Sequence, residues 1–159
     1  MTTCAAIALL GSSTQGLAQT CAMPLALNTP SSSPTDSGNT CNGVNELATV
    51  CGLSSPAADV IYQISIGASP SATSIVATPS FAFDIAIGLT SSSCSAFSGC
   101  TAYVDAAGSG SSEALSLSGI AAGTYYLVLT GTTGLATCGP YTLAANGTLP
   151  VQLQGFSIE

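Results

Sequence analysis

The sequence predicts an all-β fold: an antiparallel, jelly-roll-like β-sandwich of about eight short strands, stapled by disulfides. Three observations lead there. Apolar residues alternate with polar ones over several short runs, the period of a half-buried strand. Clusters of Gly, Pro, Ser and Asn separate those runs, which is turn chemistry. No stretch carries the apolar periodicity of an amphipathic helix.

Residues 22–28, AMPLALN, read as a short first strand. TPSSSPTDSGNT (29–40) is rich in Pro, Ser and Gly and reads as loop. DVIYQISIG (59–67) alternates, with Val60, Tyr62, Ile64 and Ile66 on one face and Ile61, Gln63 and Ser65 on the other. After the turn residues ASPSAT comes SIVATPS, a further strand. FAFDIAIGL (81–89) sets Phe81, Phe83, Ile85, Ile87 and Leu89 on one face, with Asp84 and Ala86 opposite. CSAFSGC (94–100) is a cysteine loop leading into TAYVD, and AAGSGSS is a turn. EALSLSGI places Leu115 and Leu117 on one side. TYYLVLTG (124–131) carries apolar residues on both faces: Tyr125, Leu127 and Leu129 on one, Tyr126, Val128 and Thr130 on the other. That pattern predicts a central strand rather than an edge. GTTGLATCGP is loop, and YTLAANG is the last strand of the series, with Tyr141 and Leu143 on one side.

Beyond the turn NGTLP lies VQLQGFSIE, where Val151 and Leu153 alternate with Gln152 and Gln154, and Phe156 and Ile158 follow Gly155. It reads either as a last edge strand or as a strand that pairs with another subunit. The organisation is therefore a segment 1–20, a sandwich over 21–148 and a strand-like tail over 149–159. The first segment, ending GLAQT before Cys21, reads as the end of a secretory signal peptide cleaved near Gln19. It lacks a basic start and its apolar run AAIALL is short, so retention as an apolar strand, or with Cys4 bonded, stays open.

Composition excludes several partners. Of 159 residues, 47% are apolar but only 4% are charged, against about 25% in an ordinary globular chain. There is no Lys, Arg, His or Trp, and the net charge is −7. Asp36, Glu46, Asp59, Asp84, Asp105, Glu113 and Glu159 carry all of it. Nucleic acid is excluded as a natural partner, because binding needs cations to displace phosphate counterions. An acidic membrane surface is excluded for the same reason. No run approaches the ~18 apolar residues of a transmembrane helix. Trypsin-like proteases find no Lys or Arg to cut. The polarity comes from Ser, Thr, Gly, Asn and Gln, as in a secreted, low-charge protein of bacterial type or a surface built for self-association and durability.

Seven cysteines occur, with no C-x-x-C pair and no His, so the usual zinc sites are not indicated. The spacing suggests short loops: Cys41 with Cys51, and Cys94 with Cys100. Cys21 and Cys138 would then pair at long range, and Cys4 is left over. Six cysteines can pair in fifteen ways, and this is one of them. Any such framework implies an oxidising compartment.

The order of CAMPLALN, NTCNGVNELATVCG, DVIYQISI, FDIAI, CSAFSGC, VDAAGSGSSEALSLSGIAAGTYYLVLTG and CGPYTLAANG resembles the bacterial pre-peptidase C-terminal domain family, secreted β-sandwiches found beside peptidases. The resemblance covers roughly residues 20–147. AAGTYYLVLTG followed by GPYTL is its most specific part, and DVIYQISI matches the family's Asp-Val-hydrophobic-Tyr strand. It implies a non-catalytic accessory domain, of which some members bind insoluble polymers or calcium. Here no peptidase domain is present in the sequence, which shifts the expectation toward a structural role.

Catalysis lacks its parts. Without His, no Ser-His-Asp or Cys-His arrangement can be built, and without Lys there is no Ser-Lys pair or Schiff base. A carboxylate pair such as Asp84 and Asp105 is the one hydrolytic arrangement the inventory permits. Calcium is the one cofactor with candidate ligands: Asp59, Asp105 and Glu113. Their surroundings do not form an EF-hand loop. Asn146-Gly147-Thr148 matches a glycosylation acceptor and reads first as a turn. The functional expectation is a non-enzymatic protein of the cell exterior, structural or adhesive, and the self-associating subunit of an extracellular filament by strand exchange. Its candidate donor residues are Ala5, Ile7, Leu9 and Leu10 at one end and Val151, Leu153, Phe156 and Ile158 at the other. The alternative is an accessory module for an insoluble polymer or polysaccharide, with Tyr62, Tyr103, Tyr125, Tyr126 and Tyr141 as contacts.

Overall fold

The computed structural model describes residues 20–27, 35–55, 57–67, 73–80, 83–91, 94, 100–132, 138–147 and 149. Their strands are β1 (Leu25–Ala26), β2 (Thr35–Asn39), β3 (Thr49–Val50), β4 (Leu53–Ser54), β5 (Val60–Ile66), β6 (Ser74–Pro79), β7 (Ile85–Thr90), β8 (Ala102–Val104), β9 (Glu113–Ser116), β10 (Gly123–Gly131) and β11 (Pro140–Asn146). One sheet has five strands in the order β1-β5-β10-β7-β8, and a second has four in the order β2-β11-β6-β9. β3 and β4 form a separate hairpin. Among the described residues only β1 with β5 is parallel; the other ladders are antiparallel. The all-β sandwich expected from alternation is the observed architecture.

The core forms because the period-two strands turn one apolar face toward each other. Val60, Tyr62, Ile64, Ile66, Ile85, Ile87, Leu89, Tyr125, Leu127 and Leu129 come from the five-stranded sheet. Ile75, Ala77, Leu115, Tyr141, Leu143 and Ala145 meet them from the four-stranded one, with Leu117 just past the end of β9. β10 lies between β5 and β7, which is the central place its two-faced apolar pattern predicts. Its second face is covered too. Val128 and Ile61 are fully buried in a smaller cluster with Leu47, Val50 and Cys94. Residues 44–55, carrying the β3–β4 hairpin, form the flap that covers this outer face. The flap lies close on β7: a Cβ at Gly88 would stand 2.8 Å from Val50 Cγ1 and 3.0 Å from Cys51 Sγ.

Two expectations need correction. TDSGN (35–39) is a strand, β2, not loop. It has no apolar side chain to announce it, and its strand state comes from pairing with β11 from Thr35↔Ala144 to Asn39↔Pro140. The disulfides also differ. The same six cysteines are used, but the bonds are Cys21–Cys94, Cys41–Cys138 and Cys51–Cys100, with Cα separations of 5.3, 5.0 and 5.1 Å. The expected pairs Cys41–Cys51, Cys94–Cys100 and Cys21–Cys138 do not form. The reason is topological: β5 to β11 cross from sheet to sheet several times, so closeness along the chain is not closeness in space. Cys41 follows β2, whose end is tied to the start of β11 by Thr40 N–H to Gly139 O and Gly139 N–H to Thr40 Oγ1, both 3.0 Å. Cys51 sits on the flap above β7, and Cys100 leads into β8, the neighbour of β7. The second and third bonds thus close one edge of the four-stranded sheet and rivet the flap.

Candidate assembly surface

All the described carboxylates except Asp84 are engaged in hydrogen bonds within the fold. Asp59, just before β5, is 1% exposed. Its Oδ2 accepts the N–H of Glu46 at 3.1 Å and of Leu47 at 2.9 Å. Its Oδ1 accepts from Ser55 Oγ at 3.4 Å, and Ser55 Oγ lies 2.5 Å from Thr130 Oγ1 on β10. Asp59 therefore ties the flap to the five-stranded sheet. Burial pushes its carboxyl pKa up, and those hydrogen bonds pull it partly back. Glu113, 2% exposed, accepts Ala106 N–H at 2.8 Å and the Ala107 N–H as well, fastening the turn between β8 and β9. Asp105 Oδ2 accepts from Tyr103 O–H at 3.0 Å. The three calcium candidates are thus engaged separately, and no group of three or more metal-ligating side chains occurs among the described residues. Of the carboxylate pair, Asp105 holds Tyr103, while Asp84 Oδ1 is buried without a hydrogen-bond partner.

The tyrosines do not form a binding platform. Tyr62, Tyr125 and Tyr141 are buried, and Tyr103 and Tyr126 are half-buried. Tyr62 and Tyr141 instead build a polar seam inside the sandwich. A carboxylate only accepts, so Tyr62 O–H donates to Asp36 Oδ2, 2.8 Å away. The Tyr62 oxygen is then free to accept from Tyr141 O–H at 2.7 Å. Gly38 of β2 makes room for this, since a Cβ there would lie 2.6 Å from the Tyr141 hydroxyl oxygen. Burial raises the pKa of both phenols, Tyr141 to about 12; for Tyr62 the neighbouring Tyr141 and Asp36 add to the effect. Because these folded pKa values lie above the ordinary value near 10, their stabilisation is whole below pH ~10 and lost as pH rises through the raised values. Alkaline unfolding should begin above pH ~10, read as tyrosinate absorbance rising together with loss of circular dichroism. Tyr62→Phe should lower stability at pH 7 by about 1–3 kcal/mol, because the Tyr141 hydroxyl loses its acceptor. Ionisation of all five tyrosines before unfolding would contradict the seam.

The sheet edges are managed without a single lysine. β1 has two residues, β8 three, β9 four and β2 five. Short edges limit pairing with strangers. β2 is also blocked by its own side chain: Asp36 Oδ1 accepts the Ser37 N–H at 2.8 Å. The candidate donor residues Ala5, Ile7, Leu9, Leu10, Val151, Leu153, Phe156 and Ile158 lie outside the described residues, as does Cys4.

A surface that sequence reasoning missed is the outer face of the four-stranded sheet. The register builds three transverse rows there. Ser37, Thr142 and Thr78 form one, and Thr35, Ala144, Val76 and Ala114 a second. Asn146, Ser74 and Ser116 form the third. Thr78 Oγ1 meets Ser112 Oγ at 2.8 Å, and Asn146 Nδ2 donates to Ser74 Oγ at 2.9 Å. None of these residues is charged or aromatic. The signal was present in the polar positions of the alternating strands, but it needed β2 and the register to become a surface. Comparison with protein-family models gave no match, and neither did comparison with curated proteins.

Proposed function

We propose that this chain is a secreted, non-catalytic β-sandwich with a structural or adhesive role at the cell exterior, a self-associating subunit of an extracellular filament. The observation that supports it most is the use made of the carboxylates. With no basic side chain in the sequence, Asp36, Asp59, Asp105 and Glu113 are bound to hydroxyls and backbone N–H groups that hold strands, flap and turns together. Three disulfides lock the same framework, which suits an oxidising exterior. No helix among the described residues is long and apolar enough to cross a membrane. Membership of the pre-peptidase C-terminal domain family is consistent with this reading and remains part of the proposal.

Negative-stain electron microscopy of the native secreted material, with intact mass on the same sample, is the direct test. Ordered fibres are the expected result, and the mass reports whether residues 1–20 are retained. Variants lacking residues 1–20 or 150–159 should lose or shorten the fibres if either segment donates a strand. Monodisperse particles would sink the filament reading and leave an accessory polymer-binding module as the better one.

A further inference from the structure

We infer that the outer face of the four-stranded sheet is the lateral contact through which copies of this chain pack against each other. The inference rests on the self-association proposed above and names the surface that carries it. Its starting point is charge. A chain at −7 has no cation to offset a carboxylate in a self-contact, so copies repel least where carboxylates are absent. The three rows of small residues spanning β2, β11, β6 and β9 provide such a place.

The nearby carboxylates are turned away from it. Asp36, at the β2 rim, points to the Tyr62 hydroxyl on the core side and to the Ser37 N–H. Glu113 of β9 is buried on the opposite face of its strand, where it holds Ala106 and Ala107. Asp59 is buried beneath the flap on the five-stranded sheet, and Glu46 accepts the Cys21 N–H at 2.8 Å.

Chemistry makes the same face complementary to itself. The hydroxyls of Ser37, Thr142, Thr78, Ser74 and Ser116 and the amide of Asn146 are each donor and acceptor. Ser74, Thr78, Ser116 and Asn146 already bond within the chain, and the donor and acceptor capacity they keep can be met by a second copy without any charge. Thr35, Ala144, Val76 and Ala114 form a narrow row of methyl groups between the two hydroxyl rows, and no long side chain stands in the way of close sheet-to-sheet approach. A polysaccharide also offers hydroxyls, but sugar rings are usually gripped by aromatic stacking, and this face carries no aromatic side chain.

Magnitude sets the kind of contact. Four strands about 4.8 Å apart, each about five residues of 3.3 Å, span roughly 300 Å². A stable pairwise interface buries about 800 Å² per partner. The contact is weak in isolation and becomes effective when repeated along an assembly, where effective concentration is high.

Sedimentation equilibrium over a wide range of protein concentration, at pH 7 and about 0.15 M salt, tests this. Thr142→Glu and Val76→Glu each put facing like charges into the contact, whereas Thr49→Glu puts the same charge on the flap. Thr142 is exposed, so its variant should keep the wild-type fold, which circular dichroism checks. The expected result is concentration-dependent association of the wild type, weakened about tenfold or more by the two face variants and little changed by Thr49→Glu. Association unaffected by the face variants, or weakened equally by all three, would overturn this surface while leaving self-association standing. A wild type that stays monomeric throughout would overturn both. Retention of a monomeric wild type on cellulose or chitin, abolished by Thr142→Glu, would overturn the self-contact in favour of a polysaccharide ligand.

Discussion

Replacing Cys41 and Cys138 by alanine should lower the unfolding free energy by about 4–5 kcal/mol, the chain-entropy value for a loop of this length. The two residues are 97 apart in sequence, and their bond is the longest-range of the three. It also secures β2, a strand that has no apolar side chain of its own to bury, against β11. Urea unfolding of the double variant should show a much lower midpoint, and hydrogen exchange should show β2 opening first. Peptic mapping of the wild type supplies the direct check on connectivity, since trypsin has no site in the chain. Linked peptides should join Cys41 to Cys138, Cys51 to Cys100 and Cys21 to Cys94. A Cys41–Cys51 peptide, or an unchanged urea midpoint in the double variant, would refute the arrangement.

Asp59→Ala should cost about 3–5 kcal/mol at neutral pH. It removes the acceptor for two backbone N–H groups and for Ser55 Oγ, and each stranded buried donor costs about 1–3 kcal/mol. The flap should loosen, so that hydrogen exchange at Glu46 and Leu47 accelerates more than exchange in β5 or β10. The pH dependence has a definite sign. Burial raises the Asp59 pKa above the ordinary carboxylate value, so between those two values the native state holds a proton that the unfolded chain does not. The proton-linked part of this group's contribution is therefore greatest below pH ~4 and is lost as pH rises through the raised value, while the hydrogen bonds it accepts persist at neutral pH. Thermal scans should show stability gained through Asp59 on acidification from pH 7 toward 4, with a flatter dependence in Asp59→Asn. The rest of the chain reinforces this behaviour. With no Lys, Arg or His, acid removes negative charge without building the positive repulsion that opens most acid-denatured proteins. The fold should persist at pH 2 by circular dichroism, while solubility falls as net charge approaches zero. Cooperative acid unfolding between pH 4 and 2 would show that the carboxylates contribute more as anions than the buried Asp59 indicates.

Much of the fold was legible because burial writes itself into the strands. DVIYQISI, IAIGLT and TYYLVLTG display their apolar faces directly, and the two-faced character of the last placed it in the middle of a sheet. β2 was not legible, since TDSGN has the composition of a turn and becomes a strand only through β11. Its inward positions make sense only in three dimensions: Gly38 leaves space for the Tyr141 ring, and Asp36 receives the Tyr62 hydroxyl. The tyrosines misled for the same reason. An aromatic at an alternating position can face solvent or core, and the hydrogen-bonded seam that lets Tyr62 and Tyr141 bury their hydroxyls joins strands far apart in sequence.

By itself the sequence determined the class of fold and a surface without basic side chains, because periodicity and composition are properties a linear chain already has. Tertiary structure alone decided which cysteines meet, which carboxylates are buried and where a charge-free face forms. Those depend on strand order, and a sandwich whose chain crosses repeatedly between sheets brings together residues that spacing along the sequence keeps apart.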